Sequence, residues 1–369
     1  MKENRSIAII GTVGVPANYG GFETLAENLV RYHDALALRN ELTVYCSSKS
    51  YQRREGRFLS AKLKYIPLGA NGSQSVLYDI ISLISAVWNR NDVILVLGVS
   101  GAIALPFVRT LSSANIITNI DGLEWRRDKW RGLAKMFLRV SERLAVRFSH
   151  EVIADNAVIA DYVMRTYGVD SHVIAYGGDH AMTAETCALD LGALPTKFAF
   201  SVCRIEPENN VHMILDAFSR VGNYALVMVG NWNNGEYGRK LRERYASCPN
   251  LTLLDPIYEL GTLKMLRSLA SIIVHGHSAG GTNPSLVEAM HFGKAILAFD
   301  CGYNHSTTEN RALFFKTSED IVRAVKDLEP AAAETIGLEM REIARRRYTW
   351  HIVAKQYFAL LAAANQTAR

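Results

Sequence analysis

The chain has 369 residues, which is enough for two domains of about 100 to 200 residues each. Hydrophobic residues make up 49% and charged residues 21%, which is typical of a globular chain and excludes collagen, coiled coil and extensive disorder. The five cysteines are widely spaced and form no C-x-x-C pair, so neither a disulfide framework nor a zinc cluster is indicated.

The net charge of +5 is concentrated in the first half, where residues 1–175 hold 21 Lys and Arg against 16 Asp and Glu. The longest apolar stretch, 93–108, is interrupted by Gly98 and Pro106 and is shorter than the roughly 20 residues of a membrane-spanning helix. The first residues lack the features of a secretory signal. We therefore expect a cytoplasmic protein without a transmembrane helix.

Short β-branched runs alternate with longer amphipathic runs along the whole chain, which predicts two doubly wound parallel α/β units. The strands predicted in the first unit are Ile7–Ile10, Leu42–Cys46, Leu63–Pro67, Val93–Leu97, Asn115–Ile120 and Glu151–Ala154. Those predicted in the second unit are Phe198–Cys203, Ala225–Gly230, Leu251–Leu254, Ser271–His275, Ala295–Phe299 and Leu313–Phe315.

The segment Tyr176–Thr196 has several glycines and little periodicity, so it is interpreted as the interdomain connection. This divides the chain into domains at residues 1–176 and 177–349. After the second unit, Arg341–Ala364 is predicted to be one amphipathic helical stretch with a turn-like break near Tyr348–Trp350.

A glycine-rich loop, GTVGVPANYGGFET, follows the first strand and opens a helix. Its bare backbone N–H groups and the helix dipole can receive an anion or a sugar. The spacing is not the G-x-G-x-x-G of a dinucleotide site. The alternative is a tight turn without a ligand.

The stretch HGHSAGGTNPSLVEAM, residues 275–290, combines a strand end, two glycines and a helix that starts at Pro284. Free N–H groups at this helix start are predicted to face a phosphate, and Glu288 is predicted to accept a hydrogen bond from a ribose hydroxyl. The side chains that can add hydrogen bonds are Thr282, Asn283 and Ser285. The alternative is an ordinary capped helix.

Arg204 lies in SVCRIEPENN, directly after the first strand of the second unit, where open sheets bind ligands. A guanidinium in this position can hold a pyrophosphate. The alternative is a surface ion pair with Glu206 or Glu208.

In the first unit, DGLEWRRDKW follows the strand 115–120, so Asp121 and Glu124 are expected at the same sheet edge as the glycine loop. Either carboxylate can accept a hydrogen bond from a sugar hydroxyl. Alternatively, Asp121 forms a turn with Gly122, and Glu124 pairs with Arg126 or Arg127.

Cationic side chains recur every four residues on one face of the following predicted helix. This pattern favours an anionic membrane surface over nucleic acid, since stacking aromatic residues are not interleaved with the charges. A solvated helix face is the alternative. The chain has no H-E-x-x-H and no D-x-D, so we expect no metal and no cofactor. The residues of this basic face are Lys135, Arg139, Arg143 and Arg147.

Together these motifs resemble family 4 glycosyltransferases of the GT-B type, and their amino-acid sequences are similar to those of a rhamnosyltransferase-like subgroup. The resemblance covers nearly the whole chain. It implies two Rossmann-like domains that face a central cleft, with residues 1–176 binding the acceptor and residues 177–349 binding the nucleotide-sugar. It also implies that a C-terminal crossover helix, 350–369, packs back on the first domain.

The resemblance implies roles for individual residues. Catalytic roles fall on Asp121, Glu124 and Arg204. Acceptor binding falls on Glu23, Asp121 and Trp125. Donor binding falls on Gly14, Asn18, Tyr19, Gly20, Gly21, Arg204, Asn209, Gly230, His277, Gly280, Gly281, Thr282, Asn283, Ser285 and Glu288.

The sequence departs from the family pattern at three positions. Gly280 stands where the family has the first of two glutamates, Asn209 replaces a lysine, and Asp121 replaces a histidine near the C6 hydroxyl of the donor sugar. A missing contact to that hydroxyl is consistent with a 6-deoxysugar such as rhamnose.

The resulting hypothesis is a retaining transfer of L-rhamnose from dTDP-rhamnose to a lipid-linked saccharide at the inner face of the plasma membrane, in bacterial surface polysaccharide assembly. The alternatives are a UDP-hexose donor, a non-hydrolysing nucleotide-sugar epimerase and a non-catalytic sugar-binding protein. A nicotinamide-dependent reductase is disfavoured by the interrupted glycine pattern.

Overall fold

The computed structural model describes residues 5–17, 20–126, 130–185, 194–222 and 224–363. Of residue 73, it describes only the backbone. Its contacts divide the chain into two compact units. The first comprises Met1–Tyr176 together with Trp350–Arg369, and the second comprises Gly177–Thr349.

The first unit is built on a sheet in the order β3-β4-β2-β1-β5-β6-β7-β8, parallel except for the β3 to β4 pair. The central strands are buried on both faces and are accordingly rich in Val, Ile and Leu. The strands are β1 (Ser6–Ile10), β2 (Glu41–Ser47), β3 (Arg57–Phe58), β4 (Ala61–Ile66), β5 (Val93–Leu97), β6 (Asn115–Asn119), β7 (Glu151–Ala154) and β8 (His172–Val173).

Helices cover both faces of this sheet. Right-handed crossovers place α2, α3 and α4 on one face, where α4 packs on α3, while α1 and α14 pack together. The helices are α1 (Gly21–Ala35), α2 (Ser75–Trp88), α3 (Leu105–Leu111), α4 (Gly132–Phe148), α5 (Ala157–Tyr167) and the last of the chain, α14 (Trp350–Ala363). Short 3-10 turns occupy Gly72–Gln74, Ala102–Ala104 and Glu124–Arg126.

The second unit contains a wholly parallel sheet in the order β11-β10-β9-β12-β13-β14. Its strands are β9 (Phe198–Val202), β10 (Ala225–Val229), β11 (Leu251–Leu254), β12 (Ile272–His275), β13 (Ala295–Phe299) and β14 (Leu313–Phe315). Its helices are α6 (His180–Thr183), α7 (Val211–Arg220), α8 (Glu236–Tyr245), α9 (Leu260–Leu269), α10 (Pro284–Met290), α11 (Gly302–Thr307), α12 (Ser318–Asp327) and α13 (Pro330–Arg347), with a 3-10 turn at Pro207–Asn209.

Both sheets reverse their strand order next to their first strand. In the first unit β1 lies between β2 and β5, and in the second β9 lies between β10 and β12. Loops that leave neighbouring strands in opposite directions open a crevice at the carboxyl edge, which is where open α/β sheets bind ligands. The predicted α/β class with two parallel sheets is confirmed.

The predicted break near Tyr348–Trp350 is confirmed, since α13 ends at Arg347 and α14 begins at Trp350. The predicted start at Arg341 was wrong, because α13 already begins at Pro330, whose fixed φ suits a first helical position. The segment 176–196, interpreted as the interdomain connection, also contains α6. Among the described helices, none is both long and apolar enough to cross a membrane.

Candidate active site

Two loops of the second unit meet at the switch point of its sheet, one after β9 and one after β12. The Asn210 side chain donates to the Gly276 carbonyl over 2.8 Å, and both the N–H and the hydroxyl of Ser278 donate to the Glu208 carbonyl over 2.9 Å. A Cβ at Gly276 would lie 2.1 Å from the Asn209 carbonyl oxygen, so only glycine permits this approach. The two loops therefore form one rigid rim.

Asn209 orients His277 within this rim. Its Nδ2 donates to the Arg204 carbonyl over 2.7 Å, which turns its Oδ1 toward His277 Nδ1 at 2.8 Å. Because an amide oxygen only accepts, His277 Nδ1 must carry the hydrogen, and the proton of a neutral ring is therefore absent from Nε2. The uncharged Asn209 thus fixes both the rotamer and the tautomer of this histidine.

The Arg204 guanidinium stands at the same edge and is about half exposed, with 47% of its side chain accessible. Its Nε lies 3.8 Å from Glu206 Oε2, and its terminal nitrogen lies 4.0 Å from Glu208 Oε1. Ion pairs this long and this exposed are weak. The two glutamates that the sequence offered as ion-pair partners are thus near the guanidinium. Because both ion pairs are weak, the guanidinium is still able to contact an anion.

At the start of α10, Asn283 caps the helix. Its Oδ1 accepts from the N–H of Ser285 over 3.0 Å and from the hydroxyl of Ser285 over 2.7 Å. In this arrangement the cap binds both Ser285 groups, which is the capped helix that the sequence left as the alternative, and phosphate binding at this helix start stays a prediction. Gly280, at φ +95, and Gly281 precede the buried Thr282 in the loop before this cap.

Glu288, expected to bind a ribose, is bonded to two side chains that the sequence analysis did not identify. Arg267 donates to its Oε2 over 2.5 Å, and His180 Nε2 lies 3.4 Å from its Oε1. Burial opposes ionisation of Glu288, but Arg267 and then His180 outweigh it and hold its pKa below the ordinary value. One feature did indicate Arg267 as a partner, since this arginine stands beside Leu266 on the buried side of α9.

Gly230 and His275 line the interior of this edge. A Cβ at Gly230 would lie 2.4 Å from Ile205 Cδ1, so this glycine is required for packing whether or not it also contacts a donor. His275 is buried, and this burial, with His277 nearby, lowers its pKa to about 3. His275 is therefore neutral at physiological pH.

In the first unit, the glycine-rich loop is held from within by Glu23, expected to bind the acceptor. The Glu23 carboxylate accepts from the Val13 N–H over 2.9 Å and lies 3.4 Å from the Thr12 hydroxyl. A Cβ at Gly11, where φ is +84, would lie 2.0 Å from the Leu97 carbonyl oxygen. The side chain of Glu23 thus fixes the loop from within, and residues 12–15 of the loop are buried.

The donor-binding positions expected in this loop have different outcomes. Gly14 and Gly20 have φ values of +130 and +138, which favour glycine. Gly21 begins α1, and no side chain among the described residues caps that helix. An uncapped helix start keeps N–H donors for an anion. Asn18 and Tyr19 lie outside the described residues.

Asp121 follows β6 at the same sheet edge, one strand beyond β5. Its N–H donates to Asn119 Oδ1 over 2.8 Å, and the buried Tyr176 hydroxyl donates to its Oδ1 over 3.3 Å. Burial first, and Asp121 next, raise the pKa of Tyr176 far above its usual value, so this hydroxyl stays a donor. Asp121 is therefore a positioned carboxylate at the edge of the crevice.

Glu124 and Trp125 are engaged within their own unit. Glu124 accepts from the Trp130 indole over 2.9 Å, a partner that neither interpretation of the sequence had named. The Trp125 indole donates to Glu142 over 3.0 Å. Glu142 is buried and also accepts from the hydroxyls of Tyr162 and Tyr167, so the polar end of Trp125 faces inward.

The basic face of α4 divides into two parts. Lys135 and Arg139 lie over the Trp125 ring, at 5.8 and 5.4 Å from its centroid, in cation–π geometry. Arg143 and Arg147 are exposed on the following turns. The first two cations therefore support the segment around Trp125, and all four remain at the surface.

Comparison with protein families identifies both parts of the chain. Residues 193–343 match the model of the family described as Glycosyl transferases group 1. The second unit is thus similar to the group 1 glycosyl transferases over most of its length. Residues 4–179 match a domain of unknown function, DUF1972, so the group 1 domain follows a first unit whose family carries no assigned activity. No curated protein matches the chain in sequence.

Solved structures share the fold of this chain. A sucrose-phosphate synthase from Thermosynechococcus elongatus has a TM-score of 0.80 at 16% identity, over 97% of this chain and 100% of that chain. A glycosyltransferase from Rickettsia africae has a TM-score of 0.74 at 11% identity, over 99% and 100%. Anabaena Alr3699/HepE, in complex with UDP and glucose, has a TM-score of 0.71 at 16% identity, over 97% and 100%. The chain therefore has the GT-B fold.

Proposed function

We propose that this group 1 glycosyl transferase moves L-rhamnose from dTDP-rhamnose to a lipid-linked saccharide, with retention of configuration and without a metal ion. The observation that carries the proposal is the rim of the second unit, where Asn209 binds the backbone carbonyl of Arg204 and orients His277. A rim with one half-exposed cation and a tautomer-fixed histidine suits a donor with a charged diphosphate and a polar sugar.

In the proposed complex, Arg204 and the backbone that precedes the α10 cap, residues 281–283, receive the diphosphate. Asn209 has no charge, so Arg204 must supply more of the stabilisation of the leaving group than in a site with a second cation. A charge near a helix end contributes about 0.3 to 2 kcal/mol, and enzymes commonly gain more rate from stabilising the developing charge than from any other single effect. We expect Glu288 to fix the α10 wall of the pocket.

The proposed transfer is a front-face reaction. The bond between C1 of the sugar and the diphosphate oxygen breaks, and the acceptor oxygen forms a new bond to C1 on the same face. The acceptor proton passes to the departing diphosphate, so no protein nucleophile is needed. The protein contributes orientation of both substrates and stabilisation of the developing charge. Asp121, with its position set by Asn119 and Tyr176, is the proposed acceptor contact.

Separate observations bear on the donor sugar and on the location of the protein. Asp121 stands where the related family has a histidine near the sugar C6, which favours a 6-deoxysugar. The UDP and glucose bound in the Anabaena structure favour the alternative, a UDP-hexose donor. The proposed location, the cytoplasmic membrane face, is supported by the exposed cations Arg143 and Arg147 on α4.

A transfer assay with two arginine variants tests the donor site. We expect Arg204→Ala to lower kcat/KM about 10²- to 10³-fold, since it removes the cation next to the departing charge. Arg220→Ala is the matched control, because Arg220 is similarly exposed and pairs with Asp216 and Glu319 on the outer side of α7. Equal activity of both variants would contradict the assignment. Asp121→Asn should impair acceptor use while donor binding persists.

A panel of nucleotide-sugars, incubated with and without a lipid-linked acceptor, identifies the substrate. We expect a glycosylated lipid by mass spectrometry with dTDP-rhamnose and none with the UDP-hexoses. Conversion of the donor without acceptor would instead establish an epimerase. Thermal stabilisation by a nucleoside diphosphate, with no product from any donor, would indicate a non-catalytic sugar-binding protein.

A further inference from the structure

The helix α2 presents an apolar stripe to solvent. Leu77, Ile81, Ile84 and Trp88 follow one another at spacings of four, three and four, which is one face of a helix. Trp88 is 85% exposed. A tryptophan with this exposure at the end of an apolar stripe lacks the burial that a core position would provide.

A second apolar stripe runs beside the first. Ile103, in the turn before α3, and Phe107 and Leu111, on α3, are each four residues apart, and Phe107 and Leu111 are 71% and 81% exposed. Between the stripes of α2 and α3 lies a groove of about 650 Å³ whose lining side chains are all apolar. Soluble surfaces rarely expose a contiguous apolar patch of this kind unless it binds something.

The helix α4 adds a third stripe on the same face of the sheet. Leu133, Met136 and Val140 are exposed on it, and α4 packs against α3 and the turn that precedes it. More than half of the large apolar side chains that are exposed among the described residues belong to these three stripes. The apolar surface is therefore concentrated on one side of the first unit.

The charges on these helices have one sign. Asp79 and Glu142 are the only carboxylates in the sequences of α2, α3 and α4, and both are buried. The exposed ionisable residues of these helices are Arg109, Lys135, Arg139, Arg143 and Arg147. A symmetric contact between two copies of this face would place like charges opposite one another, which is unfavourable. An anionic surface complements it.

We propose that the outer face of α2, α3 and α4 docks on an anionic lipid bilayer, with Trp88, Phe107 and Leu111 inserted among the acyl chains and the cations at the headgroups. The groove accepts acyl chain segments between its two stripes. Tryptophan favours the boundary between headgroups and acyl chains because its ring is apolar and its N–H is polar. Lysine and arginine nearby add attraction to anionic headgroups. This docking proposal deepens the proposed function. It rests on that function only for the statement that the acceptor is linked to a lipid.

Vesicle sedimentation of the full chain tests the proposal without any sugar substrate. The probes are vesicles of phosphatidylcholine alone and of phosphatidylcholine with phosphatidylglycerol. We expect binding to the mixed vesicles to fall about tenfold or more in the W88Q/F107Q/L111Q variant, and to fall with added salt in the wild type. Leu338→Gln is the control, since Leu338 is 56% exposed on α13 of the second unit.

Tryptophan emission gives a second readout. We expect a blue shift of the wild-type emission with mixed vesicles and quenching by brominated acyl chains, both lost in Trp88→Phe. Unchanged vesicle binding of the triple variant, or equal binding to the neutral vesicles, would overturn the proposal. So would a lipid-free dimer by light scattering that the triple variant converts to a monomer. Since neither readout requires sugar transfer, failure of the proposed activity would leave this result intact.

Discussion

Asp79 in the first unit and Glu288 in the second are both largely buried carboxyl groups, yet they are accommodated in opposite ways. Asp79 accepts from the Ser100 hydroxyl, and its burial raises its pKa to about 7 despite that hydrogen bond. Glu288 is also penalised by burial, but Arg267 and His180 hold its pKa below the ordinary value. Below about pH 7 Asp79 keeps its proton, whereas Glu288 is ionised beside a counter-ion.

This difference shows how the two units tolerate a carboxyl group in a low-dielectric environment. A neutral acid needs only a hydrogen-bond partner, whereas an ionised one needs a cation that is itself buried. The two solutions predict stability changes of different size and opposite pH dependence.

The largest effect should follow removal of the buried cation. We expect Arg267→Met to lower the free energy of unfolding of the second unit by about 3 to 5 kcal/mol, because it leaves the Glu288 carboxylate buried without its partner. Chemical denaturation measures the loss. The double variant R267M/E288M should recover most of it, since Arg267 Nε and one terminal nitrogen have no hydrogen-bond partner in the described structure. A loss below about 1 kcal/mol would show that the carboxylate is solvated.

The next effect is a pH dependence that comes from Asp79. Its folded pKa, about 7, exceeds its ordinary value of 3.8, so between these values the folded state holds a proton that the unfolded chain has released. Stability from this group is thus present below the unfolded pKa and falls as pH rises to about 7, by no more than about 4 kcal/mol. Asp79→Asn should flatten the dependence, as measured by urea unfolding across that window.

Glu288 should behave in the opposite sense. Its folded pKa is lowered, so its contribution is present above its ordinary value of 4.5 and is lost as pH falls through the folded pKa. Glu288→Gln should therefore change the acid limb of the stability profile, while Asp79→Asn changes the limb between about 4 and 7. Identical profiles for both variants would remove the contrast between the two acids.

A smaller effect is expected at Glu23, a third buried acid, whose carboxylate accepts from backbone rather than from a side-chain cation. Glu23→Ala should cost about 1 to 3 kcal/mol, since the Val13 N–H would lose its acceptor. Glu23→Gln keeps an acceptor oxygen and should cost less. If both variants unfolded like the wild type, the glycine loop would not depend on this carboxylate.

The smallest effect concerns the helix that carries Glu288. Asn283→Ala should cost about 1 kcal/mol, because it removes the side chain that caps α10. Asn283→Asp retains an acceptor and serves as the control. Thermal unfolding measures both. Equal losses for Ala and Asp would mean that the cap contributes nothing, and α10 would then resemble the uncapped α1 of the first unit.

The fold class was predictable because strand and helix periods are local properties of the sequence. The same holds for the positions of Arg204 and the glycine loop, since each directly follows a strand and so lies at a carboxyl edge. The pairing of Glu288 with Arg267 was not predictable in this way, because 21 residues separate the partners and they lie on different helices. Only the arginine on the apolar side of α9 indicated it.

The expectations for Glu23 and Trp125 show a second limit. The family resemblance assigned both residues to the acceptor, and both direct their polar atoms into their own unit. Sequence position locates a residue on an edge but does not determine which way its side chain turns. The Glu142 cluster that fixes Trp125 joins residues from 125 to 167, which no local pattern connects.

The last helix, α14, has a consequence for the order in which the chain is made. It completes the first unit, where Arg5 donates to the Ala362 carbonyl, Phe358 stacks on Tyr32 and Tyr357 accepts from Asn119. During synthesis, the ribosome finishes every strand and helix of the second unit before it reaches α14. The half of the chain that is translated first is thus the last to be able to close its core, and until then it exposes the apolar surface that α14 will cover.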